Sequence, residues 1–290
     1  MSQADPLSRV TPVIVTYNSA HCLPALAPFL APFPRVILSD NASDDGLADT
    51  ARALLPRATV LSHPRNLGFG TANNRALALV ETDFALLLNP DCTLTPQSLS
   101  TLVATADAFP DAAIIGPRIL DAQGRPELNY RWVSGTWVST GPAAEGPACV
   151  GFLSGAAMLI RMSVAATHGF FDERFFLYYE DDDLCRAYFT ARLPLIIDPA
   201  AEATHLARRS VRGKSPLRGE YWRGYHHAQS KLTYTVKYTG LPAALRLRRR
   251  LIWQTAATLP LRALAFSPRL IARMWGRMNG VLGWTPSRLP

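Results

Sequence analysis

Short apolar runs alternate with helix-like segments over the first 117 residues of the chain. Strands are predicted at residues 12–17, 35–40, 58–63, 84–89 and 112–117. Helices are predicted between them, at residues 20–31, 44–55, 69–81 and 96–108. Short buried strands that alternate with helices are typical of a mostly parallel sheet with helices on both faces. The sequence therefore predicts an α/β fold for this part of the chain.

The regular alternation stops after residue 117, where Gly, Pro and aromatic residues become frequent. Further elements are predicted there: strands at 129–133, 152–160 and 193–198, and a helix at 180–191. The stretch 139–148, rich in Gly, Pro and Ala, is predicted as a loop. This second part is therefore predicted to form a structurally different half of the same domain.

Charge is distributed unevenly along the chain. Residues 1–220 hold all 22 acidic residues and 18 basic ones, a net charge of −4, whereas residues 221–290 hold 12 basic residues and no acidic residue. Within the latter segment, Arg269, Arg273 and Arg277 recur every four residues among apolar side chains, which predicts an amphipathic helix with a basic stripe. We expect this tail to lie on an anionic membrane surface; a lid packed on an acidic face of the protein is the alternative. Nucleic acid is not an expected partner, because the body has no motif of that kind.

The sequence shows no sign of export or of a membrane span. The N-terminal residues have no apolar core like that of a signal peptide. The uncharged run 251–261 is well short of the roughly 20 residues that a spanning helix needs. The four cysteines are far apart and form no CxxC pair, which favours reduced thiols. We therefore expect a cytoplasmic protein.

Polar residues follow the predicted strands at the sheet edge where open α/β folds bind their ligands. These are Thr16, Tyr17 and Asn18 after the first strand, Asp40, Asn41 and Ser43 after the second, and Asn89 and Asp91 after the fourth. After the third strand, Arg65 and a glycine-containing turn precede a helix whose N-terminus favours an anion such as a diphosphate. Each residue alone is also a common turn or cap residue. Their convergence on one edge is what favours a ligand site.

Four consecutive carboxylates, Glu180 to Asp183, follow an aromatic stretch. Burying such a cluster is costly unless its members are paired or functional. On a helix, Glu180 and Asp183 share a face, whereas Asp181 points about 100° away from Glu180. The helix dipole would offset part of the repulsion, so the run alone is also compatible with a purely structural helix start.

Six segments in a fixed order resemble glycosyltransferases of family 2, which have the GT-A fold, and in particular their rhamnosyltransferase-like branch. They are "VIVTYNS", "SDNASDDG", "RNLGFGTANNRAL", "LLLNPDCTL", "SGAAMLI" and "GFFDERFFLYYEDDDLCRA". The resemblance spans roughly residues 11–210. It implies a Rossmann-like GT-A domain at 1–220, with a nucleotide-sugar half at about 10–117 and an acceptor half at about 118–220. The basic helical region at 221–290 is not covered.

The resemblance implies an inverting, metal-dependent enzyme that uses a nucleoside diphosphate sugar. The implied donor-binding residues are Thr16, Tyr17, Asn18, Asp40, Asn41, Ser43, Arg65, Asn66, Gly68, Phe69, Asn73 and Asn89. Asp40 is expected to meet the pyrimidine base, and Arg65 to lie near the diphosphate. Asp91 and His205 are the implied ligands of Mg²⁺ or Mn²⁺. Asn89 stands where the family's DxD signature has its first aspartate.

The acidic run takes its roles from the same resemblance. Asp181 is the implied general base, Glu180 its acceptor-side neighbour, Asp183 a structural residue and Asp182 a solvent-facing one. The implied acceptor-side residues are Trp132, Gly155, Ala156, Tyr179 and Asp183.

The expected reaction moves L-rhamnose from dTDP-rhamnose to a bacterial surface glycan or a polyprenyl-linked acceptor. The alternatives are a UDP-hexose or UDP-galactofuranose donor, or an inactive relative that binds glycan or nucleotide. The expected location is the inner face of the cell membrane, as a peripheral protein, and a homo-oligomer remains open.

Overall fold

The computed structural model describes residues 5–128, 143–206, 210–211, 215–264 and 267–286. The chain divides into two compact units. The first comprises Met1–Phe171 with Asp181–Arg212, and the second comprises Asp172–Glu180 with Gly213–Pro290. The predicted strand at 129–133 and the predicted acceptor-side residue Trp132 lie outside the described residues.

The first unit is built on a mixed sheet. Its strands are β1 (Val10–Thr16), β2 (Val36–Asp40), β3 (Ala58–Ser62), β4 (Phe84–Leu88), β5 (Cys92–Leu94), β6 (Ile114–Leu120), β7 (Ala148–Cys149), β8 (Ala157–Arg161) and β9 (Leu195–His205). The strand order is β3-β2-β1-β4-β8-β6-β9-β5, and β7 pairs with β9. The first four strands in that order pair with one another in parallel. Antiparallel pairs join β8 to β4 and to β6.

Helices connect the strands of this unit. They are α1 (Pro6–Arg9), α2 (Leu23–Leu30), α3 (Leu47–Leu54), α4 (Phe69–Leu77), α5 (Pro96–Ala108), α6 (Met162–His168) and α7 (Glu180–Thr190). A short 3₁₀ turn at Ala20–Cys22 precedes α2. Consecutive strand residues belong to different apolar clusters: Ile14 and Leu86 lie in one, and Val13 and Leu87 in the other. Because neighbouring strand residues point to opposite faces, the sheet has an apolar core on each side.

The predicted α/β architecture is confirmed, with differences in its second half. The strand expected at 152–160 begins only at Ala157. The residues before it form a loop, in which the Ala156 carbonyl accepts a hydrogen bond from the Asn89 N–H group (2.9 Å). The strand expected at 193–198 continues to His205. Beyond residue 200, buried Ala201 and Ala203 alternate with outward-facing side chains, which is the burial pattern of a strand.

The second unit contains three helices, α8 (Pro216–Thr239), α9 (Leu241–Leu264) and α10 (Pro268–Leu282). The predicted helical C-terminal region is therefore present. Helices α8 and α10 pack backbone to backbone, because a Cβ atom placed on Gly276 would come 1.9 Å from the Tyr221 carbonyl oxygen. No helix within the described ranges is long and apolar enough to cross a membrane.

Candidate active site

Asp40 is the centre of a hydrogen-bonded cluster at the carboxyl ends of β1 and β2. Thr16 lies beside it in the parallel register, and its hydroxyl donates to Asp40 Oδ1 (3.3 Å). The Ser43 N–H donates to both carboxylate oxygens, and the Ser43 hydroxyl donates to Oδ1. Asp40 is 6% exposed. The carboxylate is therefore held in one orientation at the edge of the sheet.

Asn18 joins the same cluster through a left-handed backbone conformation, with φ at 52°. Its N–H donates to Ser43 Oγ (2.9 Å), and its side-chain oxygen accepts from the Asp44 N–H (2.8 Å). Tyr17, between Thr16 and Asn18, is 39% exposed. The end of β1 thus presents an aromatic ring beside a fixed carboxylate.

Asn41 fastens the loop after β3 to the end of β2. Its side-chain amide donates to the Gly68 carbonyl (3.1 Å) and accepts from the Leu67 N–H (3.1 Å). Gly68 has φ at 87°, a conformation that favours glycine, and its N–H donates to Asn66 Oδ1 (2.9 Å). This turn leads directly into α4, where buried Asn73 donates to the Phe69 carbonyl (3.0 Å).

The N-terminus of α4 therefore lies next to the hydrogen-bonded cluster around Asp40. Arg65, just before the turn, is exposed. A helix N-terminus and an arginine together favour a phosphate group. The structure thus brings most of the predicted donor-side residues to one edge of the first unit.

Asp91 and His205 are adjacent because β5 and β9 pair antiparallel, with Cys92 opposite His205. His205 Nε2 lies 3.4 Å from Asp91 Oδ1, and Asp91 is 5% exposed. The Ser210 N–H donates to the other carboxylate oxygen (3.0 Å), and the Leu206 N–H to the Asp91 carbonyl (2.9 Å). Neither short β5 nor the extension of β9 was predicted, so the sequence alone did not reveal how these two residues meet.

Burial keeps the neighbouring cysteine inert. Cys92 is fully buried, and burial raises the pKa of its thiol to about 12. At neutral pH the thiol is protonated and is a poor metal ligand. The donor atoms here are therefore carboxylate oxygen and imidazole nitrogen. No group of three or more His, Cys, Asp and Glu arranged to hold a metal occurs among the described residues.

Gly155 connects this edge to the acidic run. Its N–H donates to Asp181 Oδ2 (3.2 Å). A Cβ atom placed on Gly155 would lie 3.4 Å from Phe69 Cε1 and 3.5 Å from Asp181 Cβ. The next residue, Ala156, accepts the hydrogen bond from Asn89. The loop at 155–156 thus contacts the α4 start, the residue before Pro90 and Asp91, and the predicted base.

Asp181 is partly exposed near the start of α7, and its Oδ1 accepts from the Asp182 N–H (2.9 Å). Asp182 is likewise partly exposed, and Asp183 is 2% exposed. Glu180 is 6% exposed and is the last residue of the segment 172–180, which clusters with the second unit. Of the four carboxylates, Asp181 is held by the 155–156 loop.

Tyr179 also belongs to the second unit. Its ring centroid lies 5.6 Å from that of His227 and 5.3 Å from that of Tyr234, both on α8. The aromatic stretch before the acidic run therefore packs on a helix of the C-terminal region, a long-range contact that no sequence pattern indicated.

Comparison with known proteins identifies the class. Residues 12–167, over half of the chain, match the family described as "Glycosyl transferase family 2". The chain belongs to this family and is a glycosyltransferase. The match includes the residues of the cluster around Asp40 and also Asp91, and it ends before Asp181 and His205.

A relative narrows the resemblance to one branch. The chain is 31% identical over 251 residues to an N-acetylglucosaminyl-diphospho-decaprenol L-rhamnosyltransferase of Mycobacterium tuberculosis, covering 72% of this chain and 80% of the relative. The predicted resemblance to the rhamnosyltransferase-like branch is thereby confirmed.

Two solved structures share the fold. The GalNAc-T7 structure with UDP, GalNAc and Mn²⁺ matches with a TM-score of 0.56 and 15% identity, over 78% of this chain and 51% of that one. The mannosyltransferase PcManGT from Pyrobaculum calidifontis, in complex with GDP-Man and Mn²⁺, matches with a TM-score of 0.54 and 16% identity, over 96% and 86%. This chain therefore spans about half of the GalNAc-T7 chain, and the predicted GT-A fold is confirmed.

Proposed function

We propose that the protein is an inverting glycosyltransferase that moves L-rhamnose from dTDP-rhamnose to a lipid-linked acceptor, with Asp181 as general base. The observation that carries the proposal is the position of Gly155, which donates to Asp181 and lies against Phe69 at the start of α4. One loop thereby relates the predicted base to the predicted donor side. The name of the mycobacterial relative supports both the sugar and a diphosphate-linked lipid acceptor.

Asp181 supplies the proton acceptor that a one-step displacement requires. Its carboxylate removes the proton from the acceptor hydroxyl as that oxygen forms a bond to the anomeric carbon. The bond from this carbon to the diphosphate oxygen breaks, and its electron pair leaves with the nucleoside diphosphate. Backbone N–H groups of Gly155 and Asp182 each bind one Asp181 oxygen, which orients the carboxylate for this step.

Asp91 and His205 fit as two ligands of a divalent cation. One buried carboxylate oxygen and an imidazole nitrogen lie 3.4 Å apart, and Mg²⁺ is usually held by one or two carboxylates together with substrate phosphates. Such an ion, when bound, stabilises the negative charge that grows on the leaving diphosphate. We propose Mn²⁺ or Mg²⁺ in this role, a choice that the Mn²⁺-containing structural neighbours support.

We propose that the nucleotide base of the sugar donor binds at the cluster around Asp40. Thr16 and Ser43 occupy part of its hydrogen-bonding capacity and fix its orientation. A carboxylate held in one orientation can accept a hydrogen bond from the ring N–H group of a pyrimidine base, and thymine and uracil both have such a group. The cluster therefore favours a pyrimidine nucleotide, and a panel of dTDP- and UDP-linked sugars tests the choice between them.

The test compares Asp181→Asn with Asp182→Asn, two changes of equal size at neighbouring positions. Each protein is given dTDP-rhamnose, Mn²⁺ and a diphospholipid acceptor, and product is measured by mass spectrometry. Removing the base should lower kcat by about 10²- to 10⁴-fold, while Asp182→Asn should stay close to wild type. Equal activity in all three proteins would show that Asp181 is not the base.

A further inference from the structure

A cavity of about 370 Å³ lies between α8 and α10, within the second unit. Its polar wall consists of His227 and Lys231 from α8 and Arg273 and Arg277 from α10. Leu270 and Met274 form an apolar wall beside them. None of these residues has a place in the sugar-transfer site described above.

No acidic side chain is among the described residues that line this cavity. Residues 221–290 contain no Asp or Glu. Glu220, the acidic residue nearest in sequence to the lining residues, is paired with Arg223 (2.7 Å). Lys231 follows His227 by four residues, and Arg277 follows Arg273 by four, so each pair lies on one helix face. Like charges at this spacing repel, and here two such pairs line the same cavity.

Burial, and after it this repulsion, shifts the pKa of His227 and of Lys231. Burial, followed by the charges of Lys231, Arg273 and Arg277, lowers the pKa of His227 to about 4. Burial and the charges of Arg277 and Arg250 lower the pKa of Lys231. Burial and neighbouring positive charge thus both disfavour protonation of His227 and Lys231, as expected for basic side chains grouped in one cavity.

Glycines let the backbones of the two helices pack closely in spite of this repulsion. A Cβ atom on Gly224 would lie 2.0 Å from the Arg273 carbonyl oxygen, and one on Gly280 would lie 2.4 Å from that of Tyr225. Gln229 adds a hydrogen bond from its side chain to the Gly280 carbonyl (2.5 Å). The cationic side chains are therefore fixed near each other by packing that begins at Gly224, itself a lining residue.

We infer that this cavity is a binding site for a phosphate or diphosphate group. Two arginines offer the planar, forked donors that match phosphate oxygens, and Lys231 offers a point charge. Leu270 is 39% exposed and Trp275, next to Met274 in sequence, is 54% exposed. The cationic half of the site therefore adjoins apolar surface, as a phosphate carried on a lipid requires.

Two sources carry this chemistry. One is the diphosphate of a lipid-linked acceptor, which rests on the proposed function. The other is the headgroup of an anionic phospholipid, which does not. In either case the occupant lies close to the segment before the catalytic helix, because the His227 ring is 5.6 Å from the rings of both Tyr178 and Tyr179.

The test is a titration of the full chain in EDTA, so that no metal-bridged phosphate forms at Asp91 and His205. Inorganic pyrophosphate and farnesyl diphosphate are the probes, and calorimetry gives the Kd. The variant is Lys231→Gln with Arg273→Gln. Its control is Arg246→Gln with Arg249→Gln, an equal loss of charge at exposed positions outside the cavity lining.

Losing two charge-assisted contacts should raise the Kd at least about tenfold in the cavity variant and leave it nearly unchanged in the control. If neither probe binds, or if both variants bind as wild type does, the inference is wrong. Should the double variant not fold, Arg273→Gln alone gives the same comparison. Binding that survives in Asp91→Ala but not in the cavity variant separates this site from the donor site.

Vesicles identify the source. Phosphatidylcholine vesicles with and without phosphatidylglycerol are sedimented with wild type, the cavity variant and, as the control for vesicles, Arg35→Gln with Arg52→Gln, an equal loss of charge at exposed positions of the first unit. Farnesyl diphosphate binding tighter than pyrophosphate supports the acceptor diphosphate as the occupant. Phosphatidylglycerol-dependent sedimentation that the cavity variant loses, and the control keeps, supports the phospholipid headgroup.

Discussion

Gly155 shows how one residue without a side chain can organise this site. Its N–H orients Asp181, and the space above its Cα is bounded by Phe69 and Asp181. The added methyl of an alanine would lie at ordinary contact distance from both neighbours, so it would occupy that space without a severe clash. Stability and activity should therefore respond differently to this change.

We expect Gly155→Ala to keep its free energy of unfolding within about 1 kcal/mol of wild type while losing most of its transferase activity. The added methyl lies 3.7 Å from Asp181 Oδ2, the atom that the acceptor hydroxyl approaches in the proposed mechanism. Urea unfolding and steady-state kinetics measure the two effects. Gly146→Ala is the control, because no atom lies within 4 Å of the added Cβ there. Unchanged kcat and KM in Gly155→Ala would show that substrate does not use this space.

At the scale of the elements, the second unit depends on close backbone contact between α8 and α10. Gly276 and Gly280 follow each other by four residues on α10, and both face backbone atoms of α8. Arg248 of α9 completes the arrangement by donating to the carbonyls of Val281 (3.0 Å) and Leu282 (2.9 Å) at the end of α10. Such contact leaves no space for even a methyl group.

Gly276→Ala should lower the free energy of unfolding by more than about 2 kcal/mol, because the helices must move apart. Gly219→Ala lies on α8, where no atom is within 4 Å of the new Cβ. This change should raise the free energy of unfolding by up to about 1 kcal/mol through helix propensity. Circular dichroism melts of both proteins test the pair. Equal effects would show that the glycines are not needed for helix packing.

The segment 172–180 is fixed to α8 at several points. Lys237 of α8 donates to Asp172 Oδ2 (2.7 Å), and Arg174 pairs with the same carboxylate. The Ser230 hydroxyl donates to the Leu177 carbonyl (2.9 Å), and the Phe176 ring stacks on that of His226, with their centroids 4.2 Å apart. The segment 172–180 is therefore held against α8 within the second unit.

Asp172→Asn should destabilise the protein at pH 7 and matter less in acid. Burial alone would raise the pKa of Asp172, but hydrogen bonds from Arg174 and Lys237 outweigh it and hold the pKa well below its ordinary value. Its contribution is therefore complete above the unfolded pKa of about 3.9 and is lost as the pH falls toward the folded value.

Urea unfolding at pH 7 and pH 3 tests this sign. We expect a loss on the order of 1–3 kcal/mol at pH 7 and a smaller difference at pH 3. Asp49→Asn, which removes an exposed pair with Arg52, should change the free energy of unfolding by less than about 0.5 kcal/mol at both values. A loss for Asp172→Asn that grows in acid would contradict the assignment.

At the scale of the whole molecule, charge separates along the chain: the first 220 residues carry −4 and the last 70 carry +12. Exposed aromatic rings accompany the positive charge, with Trp253 76% exposed. We propose that the basic region holds the enzyme at the inner face of the membrane, where a lipid-linked acceptor lies. Attraction of this kind contributes about 1 kcal/mol for each basic residue near an anionic surface.

Sedimentation with phosphatidylglycerol vesicles tests this placement. Changing Arg246, Arg249 and Arg269 together to Gln should weaken binding by about 3 kcal/mol, and added salt should weaken wild-type binding. The control changes the exposed Arg35, Arg52 and Arg57 of the first unit to Gln, with the same loss of net charge. Equal weakening by both triple variants would mean that net charge, rather than the C-terminal region, determines binding.

The parts of the fold that the sequence predicted are those that local apolarity determines. Strands β1, β2 and β4 are apolar runs buried on both faces, as Leu86 and Leu87 illustrate, whereas the edge strand β3 is only partly buried. The extension of β9 to His205 runs through Ala200, Ala201 and Ala203, and alanine is a residue type that gives no strand signal in a sequence. The attachment of Leu177 to Ser230 joins residues 53 positions apart, and no local pattern indicates such a contact.

The cysteines have a practical consequence. Cys149 is exposed on β7, whereas Cys22, Cys92 and Cys185 are buried. Thiol reagents react with accessible thiolates, so a maleimide dye should attach at one position of the natural chain. β7 pairs with β9 and leads into the loop that holds Gly155. The unaltered enzyme therefore offers a single fluorescent probe position six residues before Gly155, whose N–H contacts the proposed base, suited to observing substrate arrival in real time.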